Sequence, residues 1–192
     1  MTAWRPFPSP PGAFGGYAIT GDSGSGKSTA VAAWRRSYAI SRWAVLVFGT
    51  VGEFSPVVGP GRIARMRWGP RDVRELARQA ESVIDRCMRS PFPIVLCMEE
   101  CGGYARLSPT FSTLTAYVRH TRCILLWIAQ RPVYLTPDIR TQCQEIISWR
   151  VPRIDARKLS EEFGFDPDRL SALPPGAWAR YSKRGSVITY SE

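Results

Sequence analysis

Asparagine is absent from the 192 residues, histidine occurs once, at His120, and three lysines stand against 23 arginines. Without asparagine there can be no guanine-reading Asn-Lys-x-Asp element, so a GTP switch is excluded. No apolar run is long enough to span a bilayer. The start, Met1-Thr2-Ala3-Trp4-Arg5-Pro6, lacks the apolar core of a signal peptide. The expected setting is therefore the cytosol, or something assembled there. The five cysteines (Cys87, Cys97, Cys101, Cys123, Cys143) form no Cys-x-x-Cys pair, and with a lone histidine they make no zinc set. They read as reduced core thiols. Scarce thermolabile amides and 16 prolines suggest a thermophilic source, although GC-rich coding gives the same bias; the expected melting temperature is above about 55 °C.

The formal charge is +10. That excess favours a polyanionic partner, nucleic acid first; an arginine-rich surface with no dedicated ligand is the alternative. The length suits one domain with a full core. Residues 1–16 are rich in Pro and Gly and read as an arm, leaving 17–192 as a single domain.

Along that domain, strand-like and helix-like segments alternate. Strands are expected at 17–20, 43–48, 94–98, 123–129 and 145–151, and helices at 27–39, 71–89, 111–118 and 155–163. The strands are continuous apolar runs, as in parallel sheets covered on both faces. In 71–89 the apolar residues keep to one side. Residues 49–61 read as a long loop. Segments 177–182 and 186–190 flank Lys183-Arg184-Gly185 and read as a terminal hairpin. The pattern predicts an α/β fold with a mostly parallel sheet.

Residues 21–28 carry the chemistry: Gly21-Asp22-Ser23-Gly24-Ser25-Gly26-Lys27-Ser28 matches the phosphate-binding loop G-x-x-x-x-G-K-[ST] at every fixed position. It follows a strand-like run and, with Thr29, opens a helix, the context a P-loop requires. Glycines let backbone N–H groups turn toward an anion, and the helix N-terminus adds partial positive charge. Lys27 is expected at the β- and γ-phosphates of ATP and Ser28 at Mg²⁺.

Two further signals end apolar strands. Ile94 to Met98 leads into Glu99-Glu100, at the strand end where ligands sit in open α/β sheets. Glu99 is assigned to the metal and Glu100 to the attacking water; a solvated pair is the bland alternative. Ile124 to Ala129 leads into Gln130-Arg131-Pro132. In a strand beside the first, Gln130 would sense the γ-phosphate, or be an ordinary strand-end glutamine.

Together these elements resemble the FtsK/HerA superfamily of DNA-pumping ATPases, over roughly residues 15–182. Arg119-His120-Thr121-Arg122 is similar to that family's Gly-Arg-Lys element, and Leu173 to Tyr181 resembles its closing Leu-x-x-Gly-x-x-x-x-Tyr hairpin. The resemblance implies a three-layer P-loop NTPase, RecA-like and of the additional-strand, catalytic-glutamate type. It implies a ring in which Arg119 acts on a neighbour's nucleotide, with double-stranded DNA in the pore. Within the superfamily the small size looks like the packaging ATPases of tailless membrane-containing viruses. That places the chain in the host cytoplasm or at a packaging vertex, beside capsid or membrane-associated virion proteins.

Two positions depart from the family pattern. Glu99 stands where the family usually has Asp, and Val118 where the arginine element has Gly, which leaves Arg122, Arg131 and Arg140 as competitors for Arg119. The densest basic stretch, Gly61 to Trp68, alternates like an edge strand and places Arg65 and Arg67 on one side. With Arg62 they are the candidate DNA contacts, or a solvated edge that blocks aggregation. Trp68 and Tyr104 are candidate stacking rings or packing residues. A plasmid or phage assembly or conjugation ATPase of the same superfamily and a small P-loop kinase are the competing readings.

Overall fold

The computed structural model describes residues 8–49, 61–67, 73–99 and 101–191, with backbone alone at 63 and 65–67. In chain order the elements are β1 (Gly15–Thr20), α1 (Lys27–Ile40), β2 (Ala44–Gly49), β3 (Ile63–Arg67), α2 (Val73–Met88), β4 (Ile94–Met98), α3 (Thr110–Tyr117), β5 (Cys123–Ala129), α4 (Pro137–Gln142), β6 (Glu145–Trp149), α5 (Arg153–Phe163), α6 (Pro167–Ser171), β7 (Trp178–Ser182) and β8 (Val187–Tyr190). The described strands form one sheet in the order β3-β2-β4-β5-β1-β6-β7-β8. The first six run parallel and the last two antiparallel. The expected mostly parallel sheet with a closing hairpin is thus the one found. β4 and β5 have the bounds that their apolar runs predict.

Strand alternation divides the core between two faces. Tyr17, Ile19, Val45, Val47, Val95, Cys97, Leu126 and Trp149 pack under α1, against Ala30, Val31, Trp34 and Tyr38. Leu46, Phe48, Leu96, Met98, Leu125, Trp127 and Ile146 pack on the opposite face, against side chains of α2 to α5. This is the helix–sheet–helix layering of a buried parallel sheet.

Two short helices go beyond those that periodicity predicts. Thr136 caps α4 by accepting from the Ile139 amide, and Asp166 caps α6 by accepting from the Asp168 and Arg169 amides. Each cap is followed by proline, whose fixed φ and missing N–H suit a first helical position.

Residues 8–14, expected as arm or loop, are irregular but anchored. The Pro8 carbonyl accepts from Trp34 Nε1 at 2.8 Å, and the Pro11 carbonyl accepts from the Tyr38 hydroxyl. Phe14 meets the Trp43 ring with centroids 5.6 Å apart. No described helix is long and apolar enough to cross a membrane. All five cysteines are free and buried.

Candidate nucleotide site

The phosphate loop is shaped by what lies beneath it. At Gly21, φ is 151° and a Cβ would fall 2.7 Å from Trp149 Cβ. At Gly26, φ is 101° and a Cβ would meet Gly176 Cα at 3.3 Å. Both positions therefore need glycine for conformation and for room. The Asp22 amide donates to the Arg150 carbonyl at 2.9 Å, and the Ser25 carbonyl accepts from the Gly176 amide at 2.9 Å. The end of β6 and the lead-in to β7 thus support the loop from below. Ser25 Oγ and Trp149 Nε1 are buried in this contact without a hydrogen-bond partner.

The other side of the loop opens to a cleft of about 540 Å³, lined by Asp22, Ser23, Gly24, Gly26, Lys27, Ser28, Thr29, Arg35, Glu99, Ile128 and Gln130. Nothing lies within 4 Å of a Cβ position at Gly24. Gly26 is the N-cap of α1, with no side-chain cap and no acidic residue in the first turn. The first turn of this 14-residue helix thus carries no acidic side chain of its own to oppose a phosphate at its N-terminus. Lys27 is buried, while Ser28 and Thr29 are exposed. The residues present suit a triphosphate with Mg²⁺.

Register brings the other predicted residues to the same edge. Met98 is opposite Trp127, and Ala129 is opposite Thr20. Glu99 therefore falls beside Ile128, two residues before Gln130, and Gln130 beside Gly21, at the same ends of strands β4, β5 and β1, whose neighbours are about 5 Å apart. β5 is the additional strand between the P-loop strand and the acidic strand, as expected. Glu100 lies outside the described residues.

Sequence reasoning missed Arg35. It lies eight residues after Lys27 on the buried face of α1, and its guanidinium forms an ion pair with the Glu99 carboxylate. Burial pushes the Cys97 thiol, two residues before Glu99, above its ordinary range, and the Arg35 charge opposes that rise. A charged residue continuing the spacing Ala30, Val31, Trp34 was the available signal.

The four arginines separate by environment. Arg140 is 3 % exposed, pairs with Glu162 and donates to the Pro132 carbonyl at 2.8 Å. Arg131 grips Asp155 with both ends of its fork, at 2.7 and 3.0 Å. Arg122 is exposed and donates to the Pro91 carbonyl at 3.2 Å. Arg119 is exposed, and its Nε is 3.1 Å from His120 Nε2. It precedes β5, whereas the cleft lies beyond the strand's other end. Seven residues of strand, at about 3.3 Å each, separate Arg119 from the cleft of its own chain.

The basic stretch forms the outermost strand, β3. Arg62 is exposed just before it. Arg65 and Arg67 occupy alternate positions of β3, and Trp68 lies outside the described residues. Tyr104 is fully buried between Phe48 and Phe111; that packing overturns the stacking alternative. Among the described residues no cluster of His, Cys, Asp and Glu could hold a metal.

No protein-family description matches the sequence, and no curated protein matches it. Solved structures do match its fold. The B204 DNA-packaging ATPase of Sulfolobus turreted icosahedral virus superposes with a TM-score of 0.78 at 13% identity, covering 93% of this chain and 97% of that one. The genome-packaging NTPase B204 of Sulfolobus turreted icosahedral virus 2, in complex with ATP-gammaS, gives 0.75 at 13% identity, covering 93% and 97%. The pCW3 conjugation coupling protein TcpA gives 0.63 at 14% identity, covering 93% of this chain and 60% of that one. The fold that the FtsK/HerA resemblance implies is the fold found.

Proposed function

We propose that this chain is an ATP-hydrolysing motor for double-stranded DNA, and that its work is to fill a preformed viral capsid. The observation that carries the reading is one cleft shared by the phosphate loop, Glu99 and Gln130, on three adjacent strands. The viral assignment is supported by the closeness of the fold: the packaging ATPase superposes with a TM-score of 0.78 and the conjugation coupling protein with 0.63.

Loop amides and Lys27 hold the triphosphate, and water attacks the γ-phosphorus in line with the leaving oxygen of ADP. Glu100 orients that water and takes its proton. Ser28 and Glu99 would hold Mg²⁺, which when bound neutralises charge building between the β- and γ-phosphates. Gln130 reports whether the γ-phosphate is present. Arg119, too far from its own cleft, completes the cleft of the next subunit in a ring. Arg62, Arg65 and Arg67 contact the DNA backbone without reading sequence. The working location is the host cytoplasm, with docking at a capsid vertex.

The test is ATP hydrolysis against protein concentration, with and without long double-stranded DNA, with Glu100→Gln as control. Specific activity should climb with both and vanish in the variant. Flat activity that ignores DNA, or a requirement for a small phosphate acceptor, would replace the motor with a kinase.

A further inference from the structure

Glu99 is held from three directions. Its amide donates to the Phe48 carbonyl at 2.8 Å, which continues the ladder between β4 and β2. Gly49 lies against its side chain so closely that a Cβ there would be 2.8 Å from Glu99 Cβ and 2.8 Å from Oε2. Arg35 takes Oε1 from the α1 side. The strand alternation that puts Val95 and Cys97 under α1 puts Glu99 on the same face, so the pairing follows from register.

Arg35 is itself confined. Its residue is 8 % exposed, its Nε is buried without a partner, and it borders the nucleotide cleft. A guanidinium cannot shed its proton there. It needs a nearby anion, and Glu99 supplies it.

We propose that Arg35 is a resident counter-ion of Glu99, so that Mg²⁺ gains this carboxylate only in competition with the guanidinium. The inference rests on the nucleotide-site reading above and concerns the regulation of that site. Two effects oppose each other when Arg35 is removed. Glu99 loses an orienting contact, which weakens any metal site through a few freed rotamers. A positive charge beside the incoming dication is also removed. In a partly buried cleft, repulsion between like charges sharing one carboxylate exceeds the rotamer effect, so the net change is tighter metal binding. The pair thus keeps the acid occupied until metal and nucleotide arrive together.

Binding of a fluorescent ATP analogue, titrated with Mg²⁺, tests this without reference to turnover. Arg35→Met should lower the Mg²⁺ concentration for half-maximal binding by about tenfold or more. Arg35→Lys keeps the charge and should stay near the unsubstituted value. In Arg35→Met/Glu99→Gln the substitution at 35 should no longer shift the metal requirement. Arg35→Gln, which removes the charge but keeps a long polar side chain, should lower the requirement as well; it serves should Arg35→Met fail to fold. An unchanged or raised requirement in folded Arg35→Met, or in folded Arg35→Gln, overturns the proposal. Metal-independent binding in the unsubstituted chain overturns it too. Metal-dependent binding without DNA-stimulated hydrolysis would remove the motor and leave this inference standing.

Discussion

The Gly176 amide donates to the Ser25 carbonyl at 2.9 Å, so the lead-in to the closing hairpin supports the phosphate loop directly. Gly176 has a φ of 83° and open space around its Cβ position. The cost of a side chain there is therefore backbone strain, without a clash. Gly176→Ala should destabilise the protein by about 1 kcal/mol and weaken nucleotide binding through the tilted loop. Urea unfolding and binding of a fluorescent ATP analogue would measure the two effects; unchanged nucleotide affinity would separate the hairpin from the site.

Lys27→Ala should leave the fold intact and reduce hydrolysis at least about 10²-fold, the scale for losing one oriented donor to developing charge. Circular dichroism and phosphate release give both readouts. Activity near the unsubstituted level would mean that the loop does not hold the triphosphate.

Arg119 stands at the opposite strand ends from its own cleft, which makes complementation informative. Arg119→Ala and Lys27→Ala should each be nearly inactive alone, with a loss on the order of 10³ for the arginine. When equal amounts are mixed, about a quarter of ring interfaces carry an intact loop facing an intact arginine, and activity should return to roughly that fraction. A mixture no better than its components would rule out action between subunits.

Arg140 was a competitor for that role in sequence, and the structure gives it a different one. It is buried against Glu162 and the Pro132 carbonyl. Arg140→Leu should cost about 3 kcal/mol, at the low end for a broken buried pair because Glu162 keeps partial access to water. At this length that lowers Tm by about 10 °C. A calorimetric scan showing less than about 1 kcal/mol lost would contradict the buried pairing.

Burial pushes the thiols of Cys87 and Cys101 from near 9 to about 12. In the unfolded chain they ionise near pH 9, so between pH 9 and pH 12 unfolding releases protons that the folded state retains. Stability should be flat in pH below that window and fall through it, by ~1.4 kcal/mol per pH unit for each thiol. Urea midpoints compared between neutral pH and about pH 10.5 would show the decline. Midpoints unchanged across that window would place these thiols at the surface.

The parts legible in sequence were those whose physics is local or periodic. β4 and β5 are unbroken apolar runs because both their faces are covered, and they show at their true bounds. The phosphate loop is a fixed pattern of glycines and a lysine, readable without a fold. Glu99 and Gln130 could be named because they end such runs, but their shared edge depends on β5 inserting between β4 and β1, a matter of sheet order. Arg35 was not legible as a site residue, because its partner is 64 residues away and its spacing alone is that of a core position. Tyr104 was ambiguous for the same reason. Only the packing of Phe48 and Phe111 around it decides that it is interior.

The two halves of the nucleotide cradle are far apart in sequence. Gly21 to Ser28 is made well before the segment from Trp149 to Gly176 that it rests on. A nascent chain therefore carries the phosphate-binding sequence long before it carries the surface that holds it in shape. Competence to bind nucleotide arrives only once the lead-in to β7 has been made, so a fragment that stops short of β7 should display the motif but fold without a working cradle.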